Sequence, residues 1–140
     1  MTGNDIVEIA IKFKETYKTN NPFKIAELLK IDCSFVTFRK DVMQAYIIKP
    51  YEDVPPCICI NSKFDKKSQQ IFCAHELGHA VLHKNACNHF DGYSPSNSNE
   101  YEANLFAIAL LFDPDLFDMD IRKMDNYILK SILDYNVNYS

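Results

Sequence analysis

Two histidines and a glutamate in the middle of the chain have the spacing of a hydrolytic metal site. His75, Glu76 and His79 form an HExxH pattern. Residues four apart lie on one face of a helix, so the two imidazoles can converge on one cation, and zinc accepts ring nitrogens at about 2.0–2.1 Å. The glutamate is offset from that line, but it can reach a water molecule beside the metal, where a general base is needed. The pattern therefore predicts metal-assisted hydrolysis with Glu76 as the base.

The simpler alternative is an ordinary helix whose histidines bond to their neighbours. With four histidines and seven glutamates in 140 residues, chance would produce HExxH on the order of once in 200 such sequences. The pattern also lies inside an apolar-periodic helix that follows predicted strands. Gly78, within the motif, costs about 1 kcal/mol relative to alanine in a helix interior, which makes sense where another segment must approach closely. These features favour the metal site.

A third metal ligand is needed, because catalytic zinc sites usually have three protein ligands and an open position. His83 lies about 80° around the helix from His75, which is a poor angle for a ligand but suits a residue that supports the site or packs in the core. His89 falls in a polar stretch, and the five cysteines are scattered. The remaining candidates are Glu100 and Glu102 on the next predicted helix.

The segment NEYEAN (99–104) resembles a pattern found in zinc peptidases whose third ligand is a glutamate. That pattern is similar to NExxSD and lies on a helix downstream of HExxH. The resemblance implies that Glu100 is the ligand and that Asn104, four residues later on the same face, accepts a hydrogen bond from a ligand histidine. Glu102 is rotated by about 200° from Glu100, so we expect it to be solvated or salt-bridged.

Along the chain, the spacing of apolar residues changes from a helical period to a strand period and back to a helical period. Asn21 and Pro22 provide the cap and first position of a short second helix. The predicted strands are rich in β-branched and aromatic residues and cover 33–38, 43–48 and 57–60. The other predicted elements are helices at 5–18, from about 68 to 83 or 84, at 100–112 and at 115–135, with a polar loop at 88–99. Helices, a small sheet and more helices predict an α+β domain.

Composition argues against several classes of function. The 140 residues, 47% hydrophobic and 24% charged, predict one compact domain. The net charge is −4 without a basic stripe, which disfavours direct nucleic-acid binding. The longest apolar run, 105–112, is too short to cross a membrane, and no signal-peptide pattern is present, so we expect a cytoplasmic protein. No CxxC pair occurs, and the cysteines are expected to be reduced.

The two motif segments together resemble the ImmA/IrrE family of zinc metallopeptidases. They are IFCAHELGHAVLH (71–83) and EYEANLFAIALLFDP (100–114), and similarity in NPFKIAELLKI (21–31) and ICIN (58–61) extends the resemblance to about residues 20–114. Where the family more often has LLMP, this chain has LLFDP, which we expect to change only the helix end.

That resemblance implies a zincin-like fold in a single metallopeptidase domain over residues 1–140. It further implies Zn²⁺ held by His75, His79 and Glu100, with Asn104 and His83 supporting the ligands. Members of the family that belong to phages and integrative elements cleave a helix-turn-helix repressor, so the resemblance implies an anti-repressor protease.

Two rival interpretations are open. The chain could hold a repressor, or a partner in a toxin–antitoxin system, as a non-proteolytic binding module with structural zinc or none. An intact Glu76, however, has no evident use in a closed structural site. Alternatively, residues 21–31 could be half of a helix-turn-helix, but strands follow them instead of a recognition helix.

The sequence leaves the donor that stabilises the oxyanion open. His83, His89, Tyr46 and Tyr93 are candidates, in decreasing order. The substrate is expected to add as an extended strand to the edge of the small sheet, with residues 88–99 framing the cleft.

Overall fold

The computed structural model describes residues 1–49, 53–83 and 97–140. The bounds of its elements are α1 Gly3–Tyr17, α2 Pro22–Leu28, β1 Asp32–Val36, β2 Ala45–Ile48, β3 Cys57–Asn61, α3 Lys66–Leu82, α4 Asn97–Leu111, the 3₁₀ turns Pro114–Leu116 and Ile121–Lys123, and α5 Asn126–Tyr135. The predicted α+β class with a small three-stranded sheet is confirmed. Within the described ranges, every helix is too short or too polar to traverse a bilayer.

The two N-terminal helices begin at capping residues. Thr2 and Asp5 form a capping box, in which each side chain accepts a hydrogen bond from the other residue's backbone N–H. Asn21 caps α2, and Pro22 occupies its first turn, as predicted. Ile6 is fully buried, so α1 contributes directly to the core.

The sheet has the order β1-β3-β2, in which β3 is the central strand. β1 runs parallel to β3, and β2 runs antiparallel to it. Ile58 and Ile60 of β3 are fully buried, because their side chains join the core that α3 covers. β2 is therefore an edge strand of the described sheet, and one row of its backbone groups has no strand partner among the described residues.

Asn61 explains why β1 and β2 are shorter than predicted. Its buried side chain accepts a hydrogen bond from the backbone N–H of Phe38 at 3.3 Å and donates to the carbonyl groups of Phe38 at 3.0 Å and Met43 at 2.8 Å. These backbone groups bond to a side chain instead of a neighbouring strand. β1 consequently ends at Val36 and β2 begins at Ala45.

Helices α3 and α4 form the centre of the core. α1, α3 and α5 all pack on α4, and its fully buried side chains include Leu105, Phe106, Ile108 and Leu110. A Cβ atom built on Gly78 of α3 would lie 3.1 Å from the Cα atom of Ala103 in α4. The segment that the sequence predicted to approach closely at Gly78 is therefore helix α4.

The predicted final helix over 115–135 is wrong in its first half, where two 3₁₀ turns precede α5. Asp113, Asp120 and Asp125 each cap a separate element by accepting a backbone N–H hydrogen bond. Aspartate side chains of this kind compete with continuous helical hydrogen bonding. Leu116 and Met119, which would lie on the apolar face of a continuous helix, are 69% and 43% exposed.

The start of α4 also differs from the prediction. Residues 97–99, which were expected in the 88–99 loop, are helical, because serine and asparagine suit the first positions of a helix as well as a loop. The rest of that predicted loop, 88–96, lies outside the described residues. Glu100 consequently sits in the first turn of α4, not at its first residue.

Candidate metal centre

The HExxH residues lie in the second half of helix α3. Asp65 caps the helix by accepting a hydrogen bond from the backbone N–H of Ser68 at 2.9 Å, and the helix continues to Leu82. The ring centroids of His75 and His79 lie 4.8 Å apart. Oε1 of Glu76 lies 3.9 Å from Nε2 of His75. The motif thus has the helical placement that its spacing predicts.

Glu100 of α4 meets both histidines. Its Oε2 lies 2.7 Å from Nε2 of His79 and 3.3 Å from Nε2 of His75. One ligand atom from each residue can be chosen so that all three lie within 4.8 Å of one another. In the part of the chain that the structure describes, this is the one group of three or more potential ligands that comes so close.

These three donors fit zinc in type and spacing. Two imidazole nitrogens and one carboxylate oxygen are a ligand set of catalytic zinc, and tetrahedral ligands at its usual bond lengths lie about 3.3 Å apart. Nε2 of His75 and Oε2 of Glu100 are already 3.3 Å apart. The contact between His79 and Glu100, at 2.7 Å, would have to open by about 0.6 Å. The ring nitrogens of His75 and His79 lie within 4.8 Å of each other, so side-chain movements of about 1.5 Å or less would bring all three donors to zinc spacing.

The two carboxylates have opposite shifts in pKa. Burial raises the pKa of Glu76 and outweighs the opposing charges of His75 and His79. Burial alone would raise the pKa of Glu100 as well, but hydrogen bonds and charges from the same histidines hold it well below its usual range. For His75, burial alone would lower the pKa, yet contacts with Glu100, Glu76 and Asn104 raise it overall. Glu100 therefore suits an ionised ligand, whereas Glu76 suits a proton acceptor.

A pair of asparagines lies behind His75. Asn104 accepts a hydrogen bond from His75, and its amide nitrogen donates to Oδ1 of Asn126 at 2.7 Å. The contact with Asn126 orients the amide of Asn104, so that its oxygen is directed at the imidazole. Asn104 thus lies where the sequence pattern implied, although nothing in the pattern pointed to Asn126.

His83 lies behind His79. It is buried, and its Nδ1 lies 3.0 Å from Nδ1 of His79. Its Nε2 lies 2.8 Å from Oε1 of Glu102. His83 is thus outside the group of three donors, and Glu102 pairs with it instead of joining that group.

The Peptidase_M78 family profile, described as IrrE N-terminal-like domain, matches residues 32–137. This range contains the HExxH helix, the helix of Glu100 and the last helix. The chain belongs to the Peptidase_M78 family. The resemblance inferred from the two motif segments is thereby confirmed, and the family is one of peptidases.

This M78 chain is also similar to a protein named "Uncharacterized immunity region protein 2" from Bacillus phage phi105, with 34% identity over 102 residues. The match covers 71% of this chain but only 62% of the phage protein. No solved structure matches the chain significantly.

A cleft of about 420 Å³ has His75, Glu76 and Glu100 on its wall. Gln44 and Ala45, at the start of the edge strand β2, line it as well. The remaining wall comes from Ile71, Phe72, Asn104 and a C-terminal group, Asn126, Lys130, Leu133, Asp134, Val137 and Tyr139. The cleft therefore connects the group of three donors to the start of β2, which is an edge strand among the described residues.

The C-terminal wall of the cleft was missed by sequence reasoning, which assigned no functional role to residues after 114. The one local signal is that α5 is amphipathic, with Leu129 and Leu133 buried. This shows that the helix packs, but it does not show which face meets the site. Packing on α4 brings the polar side of α5 to the cleft.

The other sequence candidates lie elsewhere. Tyr46 donates its hydroxyl hydrogen to Cys59, which raises the pKa of Tyr46, and it is not among the residues that line the cleft. His89 and Tyr93 lie outside the described residues. The four described cysteines are free and take no part in the metal group.

Proposed function

We propose that this M78 chain is a zinc-dependent endopeptidase. The observation that carries the proposal is the convergence of His75, His79 and Glu100, with Oε2 2.7 and 3.3 Å from the two ring nitrogens. Buried Glu76 lies beside this group on the wall of the same cleft. Membership of a peptidase family supports peptide hydrolysis as the reaction.

His75, His79 and Glu100 would hold the zinc ion. When bound, zinc supplies Lewis-acid chemistry that polarises the scissile carbonyl group and makes water a better nucleophile. Glu76 takes the proton from the attacking water and delivers it to the leaving amine nitrogen. Its raised pKa suits both tasks, because a more basic carboxylate holds the proton until the amine takes it.

The substrate would bind as an extended segment along the edge of β2. Gln44 and Ala45 line the cleft where this edge passes the histidines, and an open strand edge offers backbone hydrogen bonds to any extended peptide. His83 is an unsuitable oxyanion donor, because both of its ring nitrogens are engaged away from the cleft. Framing of the cleft by residues 88–99 stays a prediction.

For the substrate, we propose a helix-turn-helix transcriptional repressor of a phage or mobile element. The support comes from the motif resemblance and from the similar phage protein, whose name places it in an immunity region. The net charge of −4 argues against direct contact with the repressor's DNA. A repressor substrate would also place the reaction in the cytoplasm.

We further propose that residues 1–140 act as one metallopeptidase domain. Helix α1 lies outside the matched range of 32–137. Even so, Ile6 and Ala10 of α1 are fully buried in the same core as α3 and α4. The helix that carries Glu100 is therefore supported by α1.

The test is the substitution Glu76→Gln. The purified chain, loaded with zinc, would be incubated with the helix-turn-helix repressor encoded nearest to its gene, and the products would be identified by mass spectrometry. Glu76→Gln should keep one zinc per chain and lose cleavage by at least about a hundredfold. Glu27→Gln, at a glutamate that is 73% exposed on α2, is the matched control and should cleave normally.

Cleavage by Glu76→Gln at the wild-type rate would refute the role of Glu76 as the base. Repressor inactivation without any new peptide fragment, unchanged in Glu76→Gln, would instead establish the non-proteolytic binding module. An absence of zinc binding by the wild-type chain would refute the metal centre itself.

A further inference from the structure

His83 uses both of its ring nitrogens inside the protein. Its Nδ1 lies 3.0 Å from Nδ1 of His79, and its Nε2 lies 2.8 Å from Oε1 of Glu102. The side chains of His83 and Glu102 are 7% and 14% exposed, so little water competes for these contacts. Glu102, His83 and His79 therefore form one line of hydrogen bonds, which reaches His79 through the ring nitrogen that Glu100 does not contact.

The chemistry of these groups determines where the hydrogens lie along the line. A carboxylate only accepts, so Glu102 requires a hydrogen on Nε2 of His83. A neutral imidazole has one N–H, so Nδ1 of His83 accepts, and Nδ1 of His79 must be the donor. A neutral His79 then has its lone pair on Nε2, and an imidazole needs such a lone pair to bind a metal.

In the absence of other contacts, Glu100 would favour the hydrogen of His79 on Nε2 instead of Nδ1. Its Oε2 lies 2.7 Å from Nε2 of His79, so it would accept a hydrogen from that nitrogen. The two carboxylates thus attract the hydrogen of His79 to opposite ends of the same ring. A neutral ring can satisfy only one of them.

We propose that Glu102, acting through His83, is a positioning residue that holds the hydrogen of His79 on Nδ1 and leaves Nε2 free for the metal. This inference rests on the proposed zinc site. Outer hydrogen-bond partners of metal-binding histidines typically change metal affinity by about 10–100-fold, and Glu102 reaches its ligand through one intervening imidazole.

Close packing of the two helices makes this arrangement possible. Ala103 faces Gly78, and a Cβ at Gly78 would lie only 3.1 Å from the Cα of Ala103. Glu100 and Glu102 flank Ala103 at about 60° and 100° around α4. Because the backbones are so close, the glutamates on both sides of the contact can reach histidines of α3.

The experiment compares Glu102→Leu and Glu102→Gln with Glu27→Leu, a matched control at an exposed glutamate of α2. Zinc affinity would be measured by competition with a chromogenic chelator. The hydrogen on Nδ1 of His79 would be observed in the zinc-free chain by ¹⁵N-edited NMR of the imidazoles. Circular dichroism would report whether each variant is folded.

Glu102→Leu should bind zinc about 10–100-fold more weakly and should lose the Nδ1–H signal of His79, with the hydrogen moving to Nε2 beside Glu100. Glu102→Gln keeps an acceptor oxygen without the charge and should show a smaller loss. The control should match the wild type in both measurements.

Wild-type zinc affinity and an unchanged Nδ1–H signal in both Glu102 variants would overturn the proposal. If Glu102→Leu does not fold, Glu102→Gln and its NMR signal decide the question. If the wild-type chain binds no zinc, the proposed function fails, whereas loss of the Nδ1–H signal in the variants still supports the tautomer control by Glu102.

Discussion

Replacing Gly78 by alanine tests whether the close approach of α3 and α4 sets the geometry of the metal centre. The new Cβ would lie 3.1 Å from Cα and 3.2 Å from the carbonyl oxygen of Ala103, and 3.2 Å from Cδ1 of Phe106. Ordinary contacts begin near 3.4 Å. Two of the three obstructing atoms belong to backbone, so α4 as a whole has to move away by about 0.3 Å or more.

The expected effect on stability is a small difference between two opposing contributions. Alanine stabilises a helix interior by about 1 kcal/mol relative to glycine, whereas overpacking a core typically costs about 1–3 kcal/mol. We expect Gly78→Ala to lower the free energy of unfolding by about 1 kcal/mol. Urea unfolding in the presence of a chelator would measure this without a contribution from zinc.

The expected effect on zinc affinity is larger than the effect on the free energy of unfolding. Glu100 is carried on α4 while both histidines are carried on α3, so a shift of α4 moves one ligand relative to the other two. Metal–ligand distances vary by only about 0.2 Å in well-formed sites. We therefore expect Gly78→Ala to weaken zinc binding by about tenfold, as measured by chelator competition.

Gly3→Ala is the matched control. Its Cβ would also approach a residue of α4, but the nearest atom is the Tyr101 hydroxyl at 3.1 Å, at the end of a side chain that can rotate. This variant should bind zinc like the wild type. A Gly78→Ala chain that is about 1 kcal/mol more stable than the wild type, with unchanged zinc affinity, would refute the reasoning.

Three further predictions use the same measurements. Because contacts with carboxylates raise the pKa of His75, its proton competes with zinc, and zinc affinity should fall by up to about tenfold per pH unit below that pKa and level off above it; affinity that stays constant through the acidic range would contradict this. Asn61→Ala should cost about 2–4 kcal/mol in urea unfolding, because it leaves the buried carbonyl groups of Phe38 and Met43 without the donor that they have now. Chelation of zinc should abolish peptide cleavage but leave the far-ultraviolet circular dichroism unchanged, since the core is apolar and forms from α1, α3, α4 and β3; unfolding on chelation would show that the site is structural.

The features that could be predicted from the sequence are those with a strong local pattern. The two histidines of HExxH lie on one face of any helix because they are four residues apart. Asn21 and Pro22 likewise predict the start of α2 from their local conformational preferences. The three strands and the α+β class followed from periodicity in the same way. These features depend on neighbours within a few positions along the chain, which a single sequence displays.

What the sequence could not show depends on contacts between distant segments. Asn61 ends two strands through backbone groups about 20 residues away. The partner of Glu102 is a histidine 19 positions earlier, and helical angle alone indicated only a solvated or paired glutamate. The three aspartates that divide the segment after α4 do show a local signal for capping, but the apolar spacing of the same segment also fits one continuous helix.

The geometry of the site follows from packing that has no catalytic chemistry of its own. Gly78 and Ala103 have the smallest side chains available, and they lie where the HExxH helix meets the helix of the glutamates. A larger residue at either position would separate the two backbones and lengthen the reach from Glu100 to His79 and from Glu102 to His83 together. The contact that places Glu100, the proposed third metal ligand, therefore also places Glu102, the residue proposed to orient the second ligand. Because α4 is buried on nearly every side, neither glutamate can recover its position by a local movement of the helix.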